Sequence, residues 1–347
     1  MKSLFVDSVN GLRMHVLEAG TPGQPCVLLL HGFPELSYSW RKLMPALAAA
    51  GFHVLAPDQR GYGRTTGWDG RYDGDLRSFR ILNIVEDAVA LLSRLEIRQA
   101  HVVGHDFGSP VAAYAALIRP DVFRSVVLMS APFGGPPSSL PSTEIHRELA
   151  ALGRKHYQWY YSAREADADM RDCPQGIAAF LRAYYHFKSA DWKGNRPYPL
   201  ESWSAAELAK LPTYYVMALD RNMAETVAPE MPGRAAAWLT DEELAVYAEA
   251  FRNTGFQGGL QWYRCGTGPE FIAELIALSG RTIDVPSMFI AGAADWGIYQ
   301  RPGEFERMQR QACRQMRGCH LVPGAGHWVQ QEQPEAVSRL LLDFWRT

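Results

Sequence analysis

Short apolar runs separated by helix-length segments dominate the first 130 residues: Cys26 to Leu30, Phe52 to Ala56, Val102-Val103 at the end of a strand, and Val126 to Met129. An uninterrupted apolar run of strand length belongs to a strand buried on both faces, as in the middle of a parallel sheet. Between two of these runs, Ile81, Ile84, Val85, Ala88, Leu91, Leu92 and Leu95 share one face of a helix from Ile81 to Leu95. A further helix is expected over Ser37 to Ala50, with Trp40, Leu43, Met44 and Leu47 at helical spacing. Leu4-Phe5-Val6 and Arg13 to Ala19 read as two earlier strands around a Val9-Asn10-Gly11 turn. This alternation specifies an α/β fold with a mainly parallel sheet.

The rhythm stops at Ala131-Pro132-Phe133-Gly134-Gly135-Pro136-Pro137-Ser138, a linker by composition. From Pro141 to about Ser279 the chain is rich in Ala, Glu, Tyr and Trp, reads as helical and shows no strong strand run. The α/β pattern resumes with a strand at Val285 to Ala291, a helix within Gly303 to Gln315 and a final strand at Cys319 to Val322. A last helix from Pro334 to Phe344 follows, facing inward through Val337, Leu340, Leu341 and Phe344. The organisation is therefore a core over 1–133, a helical insertion over 134–280 and the rest of the core over 281–347.

Composition narrows the function. The 35 basic and 37 acidic residues leave a net charge of −2 with no basic stripe, which argues against nucleic acid and is compatible with a small neutral substrate. The five cysteines, Cys26, Cys173, Cys265, Cys313 and Cys319, are odd in number and widely spaced, so a reducing, cytoplasmic setting is expected and not a disulfide framework. There is no C-x-x-C or H-E-x-x-H and no strong metal signal, and no apolar stretch is long enough to span a membrane. Asp58-Gln59-Arg60-Gly61-Tyr62-Gly63-Arg64 lacks the Lys-Ser/Thr ending of a phosphate loop, so Asp58 and Arg60 are read as loop-fixing residues.

Reactive side chains gather where strands end. Gly104-His105-Asp106-Phe107-Gly108 joins a strand to an Ala-rich helix and reads G-x-D-x-G, where a serine nucleophile elbow reads G-x-S-x-G. An aspartate at a helix start also serves as a simple cap, so this stretch alone leaves both readings open. Two further turns follow strands: Gly292-Ala293-Ala294-Asp295-Trp296 and Gly324-Ala325-Gly326-His327-Trp328. The chain order Asp106, Asp295, His327 is nucleophile, acid, histidine, the triad order of α/β hydrolases. After the first central strand, His31-Gly32-Phe33-Pro34-Glu35 forms a loop in which Phe33-Pro34 is a candidate cis bond.

These motifs, with Asp58-Gln59-Arg60-Gly61-Tyr62-Gly63, resemble those of the α/β-hydrolase-fold epoxide hydrolases over nearly the whole chain, from about residue 4. The resemblance implies an eight-stranded, mainly parallel sheet with a helical cap. It also implies two cap tyrosines over the nucleophile. His156-Tyr157-Gln158-Trp159-Tyr160-Tyr161 is similar to the segment of the first, mapped to Tyr157, with Tyr160 and Tyr161 as alternative registers; Phe256 to Arg264 is similar to the segment of the second, mapped to Tyr263. The chain departs from the family in having Phe107, not Trp, after the nucleophile. That leaves the backbone N–H in place but removes an indole donor to halide, which disfavours a hydrolytic dehalogenase.

The implied chemistry is epoxide opening to a vicinal diol. Asp106 attacks carbon to form an ester, Tyr157 and Tyr263 donate to the ring oxygen, and His327, oriented by Asp295, activates water. The N–H groups of Phe33 and Phe107 form the oxyanion hole. No metal or organic cofactor is called for. Trp159, Trp262 and Trp296, with Phe33 and Phe107, are candidate pocket walls for an apolar epoxide, the expected partner together with water. The alternatives are a dehalogenase on the same Asp106 and a non-catalytic binding protein on this fold. Oligomeric state is not readable from the sequence.

Overall fold

The computed structural model describes residues 1–346. Its strands in chain order are β1 Lys2–Val9, β2 Leu12–Ala19, β3 Cys26–Leu30, β4 His53–Pro57, β5 Ala100–His105, β6 Phe123–Met129, β7 Arg154–His156, β8 Val216–Ala218, β9 Ile283–Gly292 and β10 Cys313–Val322. Eight of them form one sheet in the order β1-β2-β4-β3-β5-β6-β9-β10. The pairs β1/β2 and β2/β4 are antiparallel, and all pairings from β4 to β10 are parallel. After β3 the chain steps to one side to make β4, then returns to the other side of β3 to make β5. Connections therefore leave in opposite directions from β3 and β5, opening the crevice where ligands bind in doubly wound sheets.

The central strands are apolar because both faces are covered. Leu28, Val102 and Val126 join one apolar cluster, whereas Val27, Leu29, Val103 and Val127 join another on the opposite face. The second cluster is closed by the helices Met44–Ala49 and Pro334–Arg346, through Leu47, Val337, Leu341 and Phe344. The first runs continuously into the insertion, taking in Tyr157, Tyr161, Leu260 and Tyr263. The helices Gly176–Phe187, Asp241–Thr254 and Gln257–Thr267 supply much of this cap. Thr240 and Glu243 form a capping box at the start of the second.

Three expectations need correction. The helix expected over Ser37 to Ala50 is a 3-10 turn, Ser37–Trp40, followed by a separate helix, Met44–Ala49. Pro45 lies in the first turn of the latter, where its missing N–H is tolerated. The helix expected within Gly303 to Gln315 is confined to Glu304–Arg307 with a π turn at Met308–Ala312, and β10 starts at Cys313, not Cys319. As an edge strand β10 is largely solvated, so its polar first half gave no apolar signal. The insertion also contains strands: β7 and β8 pair antiparallel, Lys155 opposite Met217. Each spans three residues, too short for alternation to show. Among the described residues, no helix is long and apolar enough to cross a membrane.

Candidate active site

Asp106 occupies the corner between β5 and the helix Gly108–Ile118. Its φ of 51° lies in the left-handed region, a conformation that costs a non-glycine residue on the order of 1–3 kcal/mol. Neighbours hold it there: Asp106 N–H donates to the Met129 carbonyl at 3.1 Å, and its own carbonyl accepts from Ser109 N–H at 3.0 Å. Gly104 and Gly108 make the corner possible, since a Cβ on Gly104 would sit 2.0 Å from the Gly108 oxygen and one on Gly108 would sit 2.2 Å from the Leu30 oxygen.

The strand register sets Leu30 beside Gly104, so the loop after β3 meets the elbow. Phe33 N–H donates to Asp106 Oδ1 at 2.9 Å, and the Phe33–Pro34 peptide is cis. Phe107 N–H lies in the unpaired first turn of the following helix. His327 Nε2 is 3.1 Å from Asp106 Oδ2, while its Nδ1 is 3.1 and 3.2 Å from the two Asp295 oxygens. Asp295 also accepts from Gly297 N–H at 2.7 Å. The side chains of His327 and Asp295 are each 1% exposed and that of Asp106 is 12% exposed, so Asp106 is the member a small molecule reaches. Burial raises the Asp106 pKa, but His327, Lys188 and His105 outweigh it and hold the carboxyl below the usual carboxylate range. Asp295 is likewise pushed up by burial and brought below its ordinary value by His327 and the Gly297 N–H.

Across from the carboxylate stand the cap phenols. The Tyr263 ring packs edge-on against Phe107 at 5.1 Å and Phe33 at 5.5 Å, and lies 5.9 Å from the Tyr157 ring. Tyr157 Oη donates to Gln300 Oε1 at 3.2 Å and accepts from Gln158 Nε2 at 3.2 Å. Tyr263 Oη makes no hydrogen bond with any described residue. Burial first, and the nearby Asp106 charge second, push both phenol pKa values up, so both are protonated at neutral pH. Of the other two registers, Tyr160 Oη donates to Asp169 at 2.9 Å, and Tyr161 Oη pairs with Tyr184 Oη at 3.3 Å while its ring packs on Tyr263 at 5.0 Å and Phe33 at 5.1 Å.

The three tryptophans separate. Trp262 packs edge-on against Phe107 and Tyr62, and its indole N–H donates to the Arg60 carbonyl at 2.9 Å. Trp159 packs against His146 and His156, and Trp296 against Tyr198; neither makes a ring contact with Phe33, Phe107, Tyr157 or Tyr263. Asp58 and Arg60 fix loops. Asp58 accepts from Ser37 and from Arg64 N–H and contacts His15 at 2.7 Å, and Arg60 pairs with Asp87 at 2.6 Å.

Sequence reasoning assigned no role to Glu35, His105 or Lys188. His105 Nδ1 contacts Glu35 at 2.5 Å, and its Nε2 donates to the His327 carbonyl at 2.7 Å. Burial opposes charge on both partners, yet their contact raises the His105 pKa and lowers that of Glu35. Both residues lie inside motifs already singled out, so their position after adjacent strands was the available signal. Lys188 is buried, with its ammonium 4.8 Å from the Tyr215 ring centroid and 5.5 Å from that of Trp328. No local pattern marks it.

A family model described as the alpha/beta hydrolase fold matches residues 25–334. The chain is 38% identical to epoxide hydrolase A of Mycobacterium tuberculosis over 96% of its own length and 94% of that relative. Among solved structures, epoxide hydrolase A from Mycobacterium thermoresistibile superposes with a TM-score of 0.81 at 34% identity, covering 99% of this chain and 98% of that one. An epoxide hydrolase from an endophytic Streptomyces also gives 0.81, at 32% identity over 99% and 95% of the two chains. With an eight-stranded α/β sheet and an inserted helical cap, this chain belongs to the epoxide hydrolase family of the alpha/beta hydrolase fold.

Proposed function

We propose that the protein hydrolyses an apolar epoxide to a vicinal diol through an ester on Asp106. The observation that carries this reading is a carboxylate on the elbow, hydrogen-bonded to His327 and faced by two protonated phenols. An epoxide has an electrophilic carbon and a leaving oxygen that becomes alkoxide-like. Asp106, ionised well below neutrality, attacks the carbon, and the C–O bond of the ring breaks. Tyr263 and Tyr157 donate to the ring oxygen as that bond breaks, and one of them gives it a proton, so the oxygen stays on the neighbouring carbon as a hydroxyl and one phenolate is left. His327, oriented by Asp295, then takes a proton from water as the water attacks the ester carbonyl. The N–H groups of Phe33 and Phe107 receive the oxyanion. Collapse breaks the bond from the acyl carbon to the diol oxygen, which takes the carboxyl proton and leaves as the diol. Asp106 returns as a carboxylate, and the proton held by His327 goes back through solvent to the phenolate. This route uses no cofactor or metal.

Phe33, Phe107, Trp262, Tyr161 and Tyr263 place aromatic edges around Asp106, which supports an apolar substrate. The dehalogenase reading is not favoured: residue 107 has no indole, and the Trp262 N–H is already bonded to Arg60. A reducing compartment fits five free cysteines. The test is His327→Gln incubated with styrene oxide, then with a haloalkane, followed by intact mass. The expected result is a gain of the whole epoxide mass on the peptide containing Asp106. A haloalkane adduct alone, with halide release, would transfer the chain to dehalogenation; no adduct from either would refute covalent catalysis by Asp106.

A further inference from the structure

The loop that carries His327 is held from both the core and the cap. His327 N–H donates to the Lys188 carbonyl at 2.9 Å. The N–H groups on either side, Gly326 and Trp328, both donate to Glu332, at 3.0 Å to Oε2 and 3.0 Å to Oε1. The same Oε2 accepts a third N–H at 2.8 Å, from Ala190 of the cap. The Trp328 indole donates to the cap's Tyr185 carbonyl at 2.8 Å. The contact is close enough to require glycine at 326, where a Cβ would lie 2.5 Å from Ser189 C and 2.6 Å from the Lys188 oxygen. From the core, His105 and Ser130 both donate to the His327 carbonyl, Ala294 N–H donates to the Ala325 carbonyl at 2.9 Å, and Gln333 Nε2 donates to the Gly324 carbonyl at 3.2 Å. By contrast, the backbone of Asp106 is tied to Met129 and Ser109, within the core.

Burial pushes the Glu332 pKa up to about 8 against the pull of its three N–H donors, and above that value the group is a carboxylate, which offers those donors only acceptors on two oxygens. A glutamine at 332 would keep one oxygen and turn an NH2 towards an N–H. We propose that Glu332 is a positioning residue for ester hydrolysis: its carboxylate latches the Lys188–Ala190 turn of the cap to the loop of His327, so the histidine is in register for its water only while the cap is docked. This rests on the covalent reading above. It makes cap closure over a substrate a condition for the second step as well as the first, and it weighs on the two steps unequally, since the backbone of Asp106 is held by Met129 and Ser109 and not by the latch.

The test is rapid-quench single turnover of styrene oxide on wild type, Glu332→Gln and Gly326→Ala, following the enzyme ester by intact mass. The burst amplitude counts folded sites, so poor folding does not enter the rates. Alkylation is expected within about threefold of wild type and ester decay at least tenfold slower in both variants. In steady state kcat and KM fall together while kcat/KM holds. Ester decay within twofold of wild type in both variants overturns the latch, as does an equal loss in both steps, the mark of a merely structural residue. Ester formation on His327→Gln is the control. If it is present and decay in Glu332→Gln is normal, the latch alone fails; if it is absent, the covalent reading and the latch fail together.

Discussion

The core and the cap position their share of the site by different means. In the core, each of the three residues of the proposed triad follows a strand: Asp106 after β5, Asp295 after β9, His327 after β10. Backbone ladders fix the strand ends, and hydrogen bonds of 3.1 to 3.2 Å link the side chains. In the cap, Tyr157 opens a five-residue helix and Tyr263 lies inside the helix Gln257–Thr267. Their rings are placed by other rings, namely Phe33, Phe107, Tyr161 and each other. Ladder-fixed groups suit a nucleophile and base that must not drift. Ring packing is non-directional and suits phenols that meet substrates of varied shape.

The contrast predicts all-or-none effects in the core and graded ones in the cap. Asp106→Ala should reduce diol formation on the order of 10⁴-fold or more, because the proposed covalent step has no substitute. Turnover within a hundredfold of wild type would place the nucleophile elsewhere. In the cap, Tyr263→Phe should slow alkylation by about 10²-fold, within the range of general acid catalysis. Tyr157→Phe should have the smaller effect, since its hydroxyl is already engaged by Gln300 and Gln158 whereas that of Tyr263 is free of described partners. Pre-steady-state rates on one epoxide rank the two, and the reverse order would sink the asymmetry.

Behind the triad, His105→Gln leaves Glu35 without its partner in a buried site and should lower stability by about 3 kcal/mol, measured by denaturant unfolding near pH 6. The sign with pH follows from the shifts. The raised His105 value stabilises the fold fully below its ordinary 6.5 and loses that contribution as pH rises through the folded value. The lowered Glu35 value stabilises above its ordinary 4.5 and loses that contribution as pH falls through the folded value. The pair is therefore worth most between 4.5 and 6.5, and the gap between wild type and His105→Gln should narrow as pH rises. A gap that widens with pH would show that His105 is held neutral. The smallest effect is expected at Trp159. Its ring packs on His146 and His156, away from the phenol pair, so Trp159→Ala should leave kcat/KM within about twofold, as for substitutions remote from chemistry.

Much of this was legible along the chain because it is local. Continuous apolar runs marked β3, β4 and β6, and glycine spacing marked the elbow, since only glycine admits the approaches at 104 and 108. The cap was harder to read. Three-residue strands leave no period, and a run of tyrosines leaves the register open, since the Tyr157 and Tyr161 rings both pack on Tyr263. Lys188 carries no local mark at all, and Glu332 takes two donors from the loop just before it but its third from Ala190 of the cap, which nothing local announces.

The sequence by itself determined the alternation of strand and helix, the interruption by a helical insertion, and which reactive side chains stand at strand ends. Each of these is written in periodicities of a few residues. Tertiary structure alone decided that His327 reaches both Asp106 and Asp295, that Glu35 and His105 back it, and that the cap's backbone holds its loop. Those relations join residues from distant parts of the chain. They follow from sheet order and cap docking, which no short-range pattern encodes.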